Sequence, residues 1–153
     1  MKLYRADKRD FNVGDEVTSA NDFTSKNPEG SEEIEKIFEE RRPTDKPKRS
    51  GPLYLFDNEV VAKKHWSKMA DGKLYEVELR EEAILHKGDM RFVDEAFAAQ
   101  DSSSKIKCAV DCWEGKESEK PRMESLVSKA FVTKVISKDQ VERRKYLLNW
   151  PQA

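Results

Sequence analysis

The fold is most clearly indicated by the stretch Arg49-Ser50-Gly51-Pro52-Leu53-Tyr54-Leu55-Phe56-Asp57-Asn58. The continuous apolar run within it, residues 53–56, predicts a short buried strand. Asp57 or Asn58 then caps a helix, because either side chain can accept a hydrogen bond from a backbone N–H of the first turn. Apolar residues recur at helical spacing as far as the turn at Asp71-Gly72. This part of the chain therefore predicts a strand that leads directly into a helix.

Similar patterns elsewhere predict about six short strands and three or four short helices. Strands and helices do not alternate strictly along the chain, which argues against a doubly wound parallel sheet. We therefore expect an α+β fold with largely antiparallel strands. The predicted strands are 2–6, 53–56, 74–79, 83–85, 106–112 and 131–136, and the predicted helices begin near Ser31, Asn58, Asp89 and Asp139. In the last helix, which extends towards Trp150, Arg143 is expected to face solvent.

The composition indicates one compact, highly charged domain that covers residues 1–153. Hydrophobic residues make up 37% of the chain and charged residues 39%. Lys and Arg number 29 against 30 Asp and Glu, so no global field favours nucleic acid, an acidic partner or a membrane surface. No apolar run is long enough to cross a bilayer. We expect a cytoplasmic protein that does not engage a membrane.

The cysteines and histidines do not predict a metal site. Cys108 and Cys112 lie in the segment predicted as a strand, where they would share one face and be too far apart for an easy disulfide. His65 and His86 are the only histidines, and neither stands at ligand spacing from the cysteines. We expect two buried, unpaired thiols and no structural metal.

The amino-terminal segment carries the first part of a family resemblance. Leu3-Tyr4-Arg5-Ala6, followed by a turn that contains Gly14, resembles the first strand of ADP-ribosyltransferase-like domains. The resemblance implies that Arg5 binds the dinucleotide NAD. It also implies a compact bacterial or phage-type domain, toxins among them, with split, largely antiparallel sheets and short helices.

The second and third parts of the resemblance follow in the family's order. The strand with Ser50 and Tyr54, which leads into a helix, resembles the family element that forms the nicotinamide wall. This implies that Tyr54 stacks on nicotinamide and that Ser50 lies near the ribose. Glu124, ahead of the apolar run 131–136, resembles the glutamate that precedes a late strand in these domains. It is the expected catalytic residue.

A single carboxylate at Glu124 matches the chemistry that the resemblance implies. Cleavage of the nicotinamide–ribose bond develops oxocarbenium character, which a carboxylate bound to the ribose can stabilise. Nicotinamide leaves as a neutral molecule, so the reaction needs no general acid. We therefore expect a transferase that uses NAD as its substrate, needs no metal, and transfers ADP-ribose to a protein or nucleic-acid acceptor.

A second glutamate competes with Glu124 for the catalytic role. Glu117-Ser118-Glu119 matches the Glu-x-Glu signature of transferases that modify arginine. No apolar residues flank that loop, whereas Met123 and Leu126 can anchor Glu124. Glu124 is therefore the first choice and Glu119 the second. With Glu124 as the catalytic residue, Arg122 stands where the first glutamate of the signature would be, which argues against arginine as the acceptor.

Two functions without catalysis remain open from the sequence. The chain could be an interaction module, such as a toxin-neutralising or host-interaction protein, that uses its charged surface to bind a partner. It could also be a small nucleic-acid-binding protein that uses the local basic stretch from Arg41 to Arg49. Convergence of the candidate residues on one cleft would favour the enzyme over both alternatives.

Overall fold

The computed structural model describes residues 2–19 and 31–149. Trp150 and the polar stretch 20–30 lie outside the described residues. The chain divides into two compact units, and within strand β3 (Leu53–Phe56) it passes from the second unit to the first. The first unit comprises Met1–Val17, Leu55–Glu82 and Lys129–Ala153, and the second comprises Thr18–Tyr54 and Ala83–Ser128.

The first unit is built from antiparallel strands and two helices. Strand β4 pairs with β1 on one side and with β7 on the other, and β1 pairs with the end of β3. The order of strands is β2-β7-β4-β1-β3. The elements besides β3 are β1 (Leu3–Asp7), β2 (Glu16–Thr18), α2 (Glu59–Ser67), β4 (Lys73–Glu78), β7 (Lys129–Ser137) and α5 (Gln140–Asn149).

Helix α2 covers one face of this sheet, because alternate residues of β1 are apolar on that side. Tyr4 and Ala6 of β1 pack in one buried cluster with Ala62 and Trp66 of α2. Asn58 caps the helix, as predicted, by accepting a hydrogen bond from the backbone N–H of Val61 at 3.1 Å. Arg5 and Asp7 therefore point to the opposite face of β1.

Helix α5 forms as predicted, but the expectation that Arg143 faces solvent is wrong. Its side chain is only 8% exposed. The guanidinium donates to the carbonyl of Ser67, at the end of α2, at 2.8 Å and to the side chain of Gln140 at 2.7 Å. An arginine can replace an apolar residue at a helix contact in this way, because its stem packs while its head satisfies a helix carbonyl.

The second unit packs three helices on one antiparallel strand pair. Its apolar cluster takes Ile34 and Phe38 from α1, Ala109 and Cys112 from α4, and Leu126 from β6. The helix predicted from Ser31 to before Pro43 is confirmed. The elements besides β3 are α1 (Ser31–Arg41), β5 (His86–Asp89), α3 (Arg91–Ala98), α4 (Ser102–Trp113) and β6 (Met123–Val127).

The strand predicted at 106–112 is wrong, because these residues belong to helix α4. Asp101 caps the helix by accepting from the backbone N–H of Ser104 at 2.7 Å. The buried apolar residues Ala109, Cys112 and Trp113 follow helical spacing. Cys108 and Cys112 still share a face, as residues one helical turn apart, and both are free thiols.

The strand expected at 83–85 is displaced to His86–Asp89, a segment predicted to be a turn and a helix start. β5 pairs antiparallel with β6, and Gly88 lies opposite Glu124 in that register. Gly88 suits this position because a Cβ there would lie 2.7 Å from Nε2 of His86. The partner strand is distant in sequence, so local turn residues gave the wrong prediction.

The α+β class with antiparallel pairing is confirmed. Within the described residues there are seven strands and five helices, slightly more of each than predicted. The strands predicted at 2–6, 53–56, 74–79 and 131–136 and the helices predicted near Ser31, Asn58, Asp89 and Asp139 are all present.

Candidate functional site

Arg5 lies in the middle of β1, opposite Tyr75 of β4. Its Nε donates to Oδ2 of Asp7 at 3.0 Å. Asp7 also accepts from Nε and Nη2 of Arg9, at 3.0 and 2.9 Å, and from the Arg9 backbone N–H at 2.9 Å. One buried carboxylate therefore holds two arginines at this end of the first unit.

The charge state of Asp7 follows from these contacts. Burial alone would raise its pKa, but the hydrogen bonds from Arg9 and the charge of Arg5 outweigh burial and lower the pKa to about 2. Arg5 is thus held by a partner that is ionised at neutral pH. Tyr75 closes the turn that follows β1, since its hydroxyl donates to the carbonyl of Arg9 at 2.8 Å and accepts from the backbone N–H of Phe11 at 3.0 Å.

Ser50 and Tyr54 belong to the second unit and differ in exposure. Ser50 is exposed in the turn before β3, whereas Tyr54 packs against the apolar cluster of the second unit. The Tyr54 hydroxyl donates to the backbone carbonyl of Arg49 at 2.6 Å. Burial, chiefly, raises the pKa of Tyr54, so its hydroxyl stays protonated at neutral pH.

Arg49 is the charged centre of the region around Tyr54. Its guanidinium donates from Nε and Nη2 to the two carboxylate oxygens of Glu35 in α1, at 2.9 and 3.1 Å. The guanidinium carbon lies 5.3 Å from the ring centroid of Phe38 and 5.9 Å from that of Tyr54. The bidentate pair and the aromatic contacts hold the turn that contains Ser50 against α1.

Glu124 lies within strand β6, which comes directly before the last strand, β7. Residues alternate in direction along a strand, so Glu124 shares the face that carries Leu126 into the apolar cluster. The Glu124 side chain is only 12% exposed. Its charge contributes to the raised pKa of Tyr54 and to that of Cys112, which burial, chiefly, raises to about 12. Glu124, Tyr54 and Cys112 are therefore neighbours.

Arg122 stands beside the Glu124 carboxylate and is held from several directions. Its Nε lies 3.6 Å from Oε2 of Glu124. Nη1 donates to Asp94 at 2.8 Å, and Nη2 donates to the carbonyl of Met90 at 3.0 Å. The guanidinium thus lies between one carboxylate of α3 and one of β6.

Asp89 ties the segment before β6 to the start of α3. Its side chain is 0% exposed and accepts from the backbone N–H groups of Arg91 at 2.9 Å, Ser118 at 2.7 Å and Arg122 at 2.8 Å. Burial raises the pKa of such a carboxyl, yet these hydrogen bonds outweigh burial and lower it. Asp89 therefore lies at the start of a helix, as expected, but its hydrogen bond to that helix is only one of three.

Two further candidate features are the Glu-x-Glu loop, which is exposed, and the basic stretch from Arg41 to Arg49, in which two arginines form ion pairs. Glu117 and Glu119 are exposed, in the loop whose Ser118 is bound by Asp89. In the basic stretch, Arg42 pairs with Glu39 at 2.8 Å and Arg49 with Glu35 at 2.9 Å. These partners within the chain reduce the charge that the stretch could offer to a nucleic acid.

The structure brings together Tyr54 and Glu124, two of the four residues predicted from the sequence. Ser50 lies in the turn that Arg49 anchors, and Arg5 belongs to the first unit. Sequence reasoning did not identify their partners, which are Asp7 for Arg5, the Arg49 carbonyl for Tyr54 and Arg122 for Glu124, nor the carboxylates of Glu35, Asp89 and Asp94 that hold Arg49 and Arg122. The signal for Arg49 was its place directly before Ser50, and for Asp89 its place directly before α3.

In comparisons with known proteins, no protein-family model and no curated protein matched this chain. Among residues 2–19 and 31–149, no group of three or more His, Cys, Asp or Glu side chains is arranged to hold a metal ion. In the same part of the chain, no helix has both the length and the apolar character needed to span a membrane.

Proposed function

We propose that this protein has an ADP-ribosyltransferase-like fold, cleaves the nicotinamide–ribose bond of NAD and transfers ADP-ribose to a protein or nucleic-acid acceptor. The observation that carries the proposal is the position of Glu124, a carboxylate only 12% exposed on β6, which neighbours β3, the strand of Tyr54. A carboxylate in such surroundings acts strongly on a developing positive charge, because little water screens it.

The order of elements supports the same proposal. Arg5 lies in β1, Tyr54 lies in the strand before α2, and Glu124 lies in the strand before β7. This is the order of the three elements that resemble ADP-ribosyltransferase-like domains. In the proposed site, which lies in the second unit, Ser50 lies near the ribose and Tyr54 contributes an aromatic wall for nicotinamide.

The proposed reaction balances without a metal or a redox partner. The bond between C1′ of the ribose and the nicotinamide nitrogen breaks, and nicotinamide leaves with the bonding electrons as a neutral molecule. Glu124 stabilises the oxocarbenium character that remains on the ribose. A nucleophile of the acceptor then bonds to C1′ and releases its proton to solvent.

The test is an NAD-cleavage assay that compares wild type with Glu124→Gln. Nicotinamide release is measured by chromatography, and transfer is measured with NAD labelled in its adenylate half. We expect Glu124→Gln to lose about a hundredfold or more in rate, by analogy with the removal of one charge-stabilising group in other enzymes. Thermal melting of both proteins checks that the substitution leaves the fold intact.

Glu119→Gln is the matched control, because Glu119 is an exposed glutamate of the neighbouring loop. It should keep wild-type activity. Loss of activity in Glu119→Gln alone would make the Glu-x-Glu loop catalytic instead. A wild-type protein that neither binds NAD nor releases nicotinamide, with candidate acceptors present, would refute the proposed function.

A further inference from the structure

Arg122 is held by hydrogen bonds of both its backbone and its side chain. Its backbone N–H donates to Asp89 at 2.8 Å, and its carbonyl accepts from Met90 at 2.9 Å. Its side chain contacts Asp94 and the Met90 carbonyl at 2.8 and 3.0 Å. Backbone and side chain are therefore both held, which fixes where the guanidinium charge lies.

We propose that Arg122 is a positioning residue that holds the carboxylate of Glu124 ionised and oriented within β6. The role rests on the proposed function of Glu124 as the stabiliser of an oxocarbenium ion, which only an ionised carboxylate can perform. The guanidinium lies 3.6 Å from Oε2 of Glu124, a distance at which charge acts without a full hydrogen bond. Arg122 can thus steady the carboxylate and still leave it to act on the ribose.

Several groups surround Glu124. Arg49 is a second cation in this region, since its charge, like that of Glu124, acts on both Tyr54 and Cys112. Tyr54 of β3 and Cys112 of α4 both have raised pKa values, so both are neutral at neutral pH. Gly88 of β5 lies opposite Glu124 and has no side chain, and Asp94 of α3 is negative and faces Arg122. Arg122 lies 3.6 Å from the Glu124 carboxylate, so we expect its charge to act directly on that carboxylate.

The experiment compares wild type with Arg122→Gln, Arg122→Met and Arg122→Lys. Steady-state kinetics with NAD should show kcat reduced about tenfold or more in the first two variants, with KM little changed, because the carboxylate is misplaced while the binding residues remain. The acid limb of the pH–rate profile should move to higher pH, since loss of a neighbouring cation disfavours the ionised carboxylate. Arg122→Lys, which keeps the charge, should restore the wild-type profile in part.

Arg91→Gln is the matched control. Arg91 lies near the same aspartate as Arg122: it is 4.0 Å from Asp94, and it donates to the carbonyl of Lys120 at 3.1 Å. It should leave both kcat and the pH profile unchanged. If Arg91→Gln moved the acid limb as far as Arg122→Gln does, the shift would come from the loss of any positive charge near Asp94, and the proposal would fail.

A carboxyl titration separates this proposal from the proposed function. The side-chain carboxyl carbon of Glu124, identified by its absence in Glu124→Gln, is titrated by nuclear magnetic resonance in wild type and in both neutral variants. A midpoint at higher pH in Arg122→Gln or Arg122→Met supports the proposal, and unchanged midpoints overturn it. A shifted midpoint in a protein that does not cleave NAD would support the charge pairing and refute the proposed function.

Discussion

Each unit holds one candidate residue beside an opposite charge two positions away in the sequence, but the two pairs differ in construction. In the first unit, Arg5 donates a hydrogen bond to Asp7 at 3.0 Å. In the second unit, Arg122 lies 3.6 Å from Glu124, too far for a strong hydrogen bond. The first pair is a hydrogen-bonded ion pair, while the second is a longer charge contact.

The two pairs also differ in what surrounds the carboxylate. Asp7 is 5% exposed and is shared by two arginines, so its charge is more than balanced. Glu124 lies 3.6 Å from an arginine that also pairs with Asp94, which is half exposed. The two carboxylates therefore differ in how directly an arginine holds them, and we propose that Asp7 stabilises the fold while Glu124 acts in chemistry.

The largest effect on stability is expected from Asp7→Asn. The substitution leaves the guanidiniums of Arg5 and Arg9 close together without a carboxylate between them. We expect the free energy of unfolding to fall by about 3 kcal/mol, as when one partner of a buried ion pair is removed. Chemical denaturation of wild type and variant measures the change. Asp10→Asn is the control, because Asp10 is an exposed aspartate paired with Lys138, and it should change stability very little.

The pH dependence of stability tests the same charge. The pKa of Asp7 is about 2 in the folded protein. It lies below the value of about 3.9 for an unfolded aspartate, so its stabilisation is complete above that value and is lost as pH falls towards the folded pKa. The stability difference between wild type and Asp7→Asn should therefore shrink from about pH 4 downward. A difference that stayed constant over this range would contradict an ionic role for Asp7.

The second effect in size is expected from Asp89→Asn. The carboxylate has two acceptor oxygens for three N–H groups, and an asparagine offers one oxygen and one donor. At least one N–H loses its acceptor, which we expect to cost about 2 kcal/mol. Amide hydrogen exchange at Arg91, Ser118 and Arg122 shows which contact opens.

Asp101→Asn provides the comparison for Asp89. Asp101 accepts from one backbone N–H at the start of α4, where asparagine is an equally good cap. It should therefore leave stability nearly unchanged. Unchanged exchange protection at all three amides in Asp89→Asn would show that Asp89 does not hold the segment before Glu124.

The sequence predicted those elements whose signals are local. Helix α1 has an apolar stripe between Ser31 and Pro43, and the strand from Leu53 leads into a helix capped by Asn58. The strand predicted at 106–112 was wrong because the apolar residues there fit both the two-residue period of a strand and the period of a helix. Only the packing of Ala109 and Cys112 against α1 and β6 decides for the helix. β5 was missed because its partner strand lies far along the chain.

The sequence indicated candidate residues but not their partners. Tyr54 and Glu124 stood out through their apolar neighbours, and the structure places them on neighbouring strands. The contact of Arg49 with Glu35 joins residues on either side of a long turn, and Asp89 binds N–H groups of three separate segments. In a chain with 30 acidic residues, sequence gives no basis for choosing which carboxylate a given arginine meets.

The smallest effect is expected from Asp94→Asn, which tests how far the second unit depends on exposed charge. Arg122 keeps its hydrogen bond to the Met90 carbonyl, and its ion pair with Asp94 is half exposed. We expect a loss of about 0.5 kcal/mol at low salt that largely disappears near 1 M NaCl, because salt screens exposed pairs. The loss in Asp7→Asn should persist at high salt, since Asp7 is buried. A salt-independent loss in Asp94→Asn as large as that of Asp7→Asn would remove the distinction between the two pairs, because Arg122 would then be held as rigidly as Arg5.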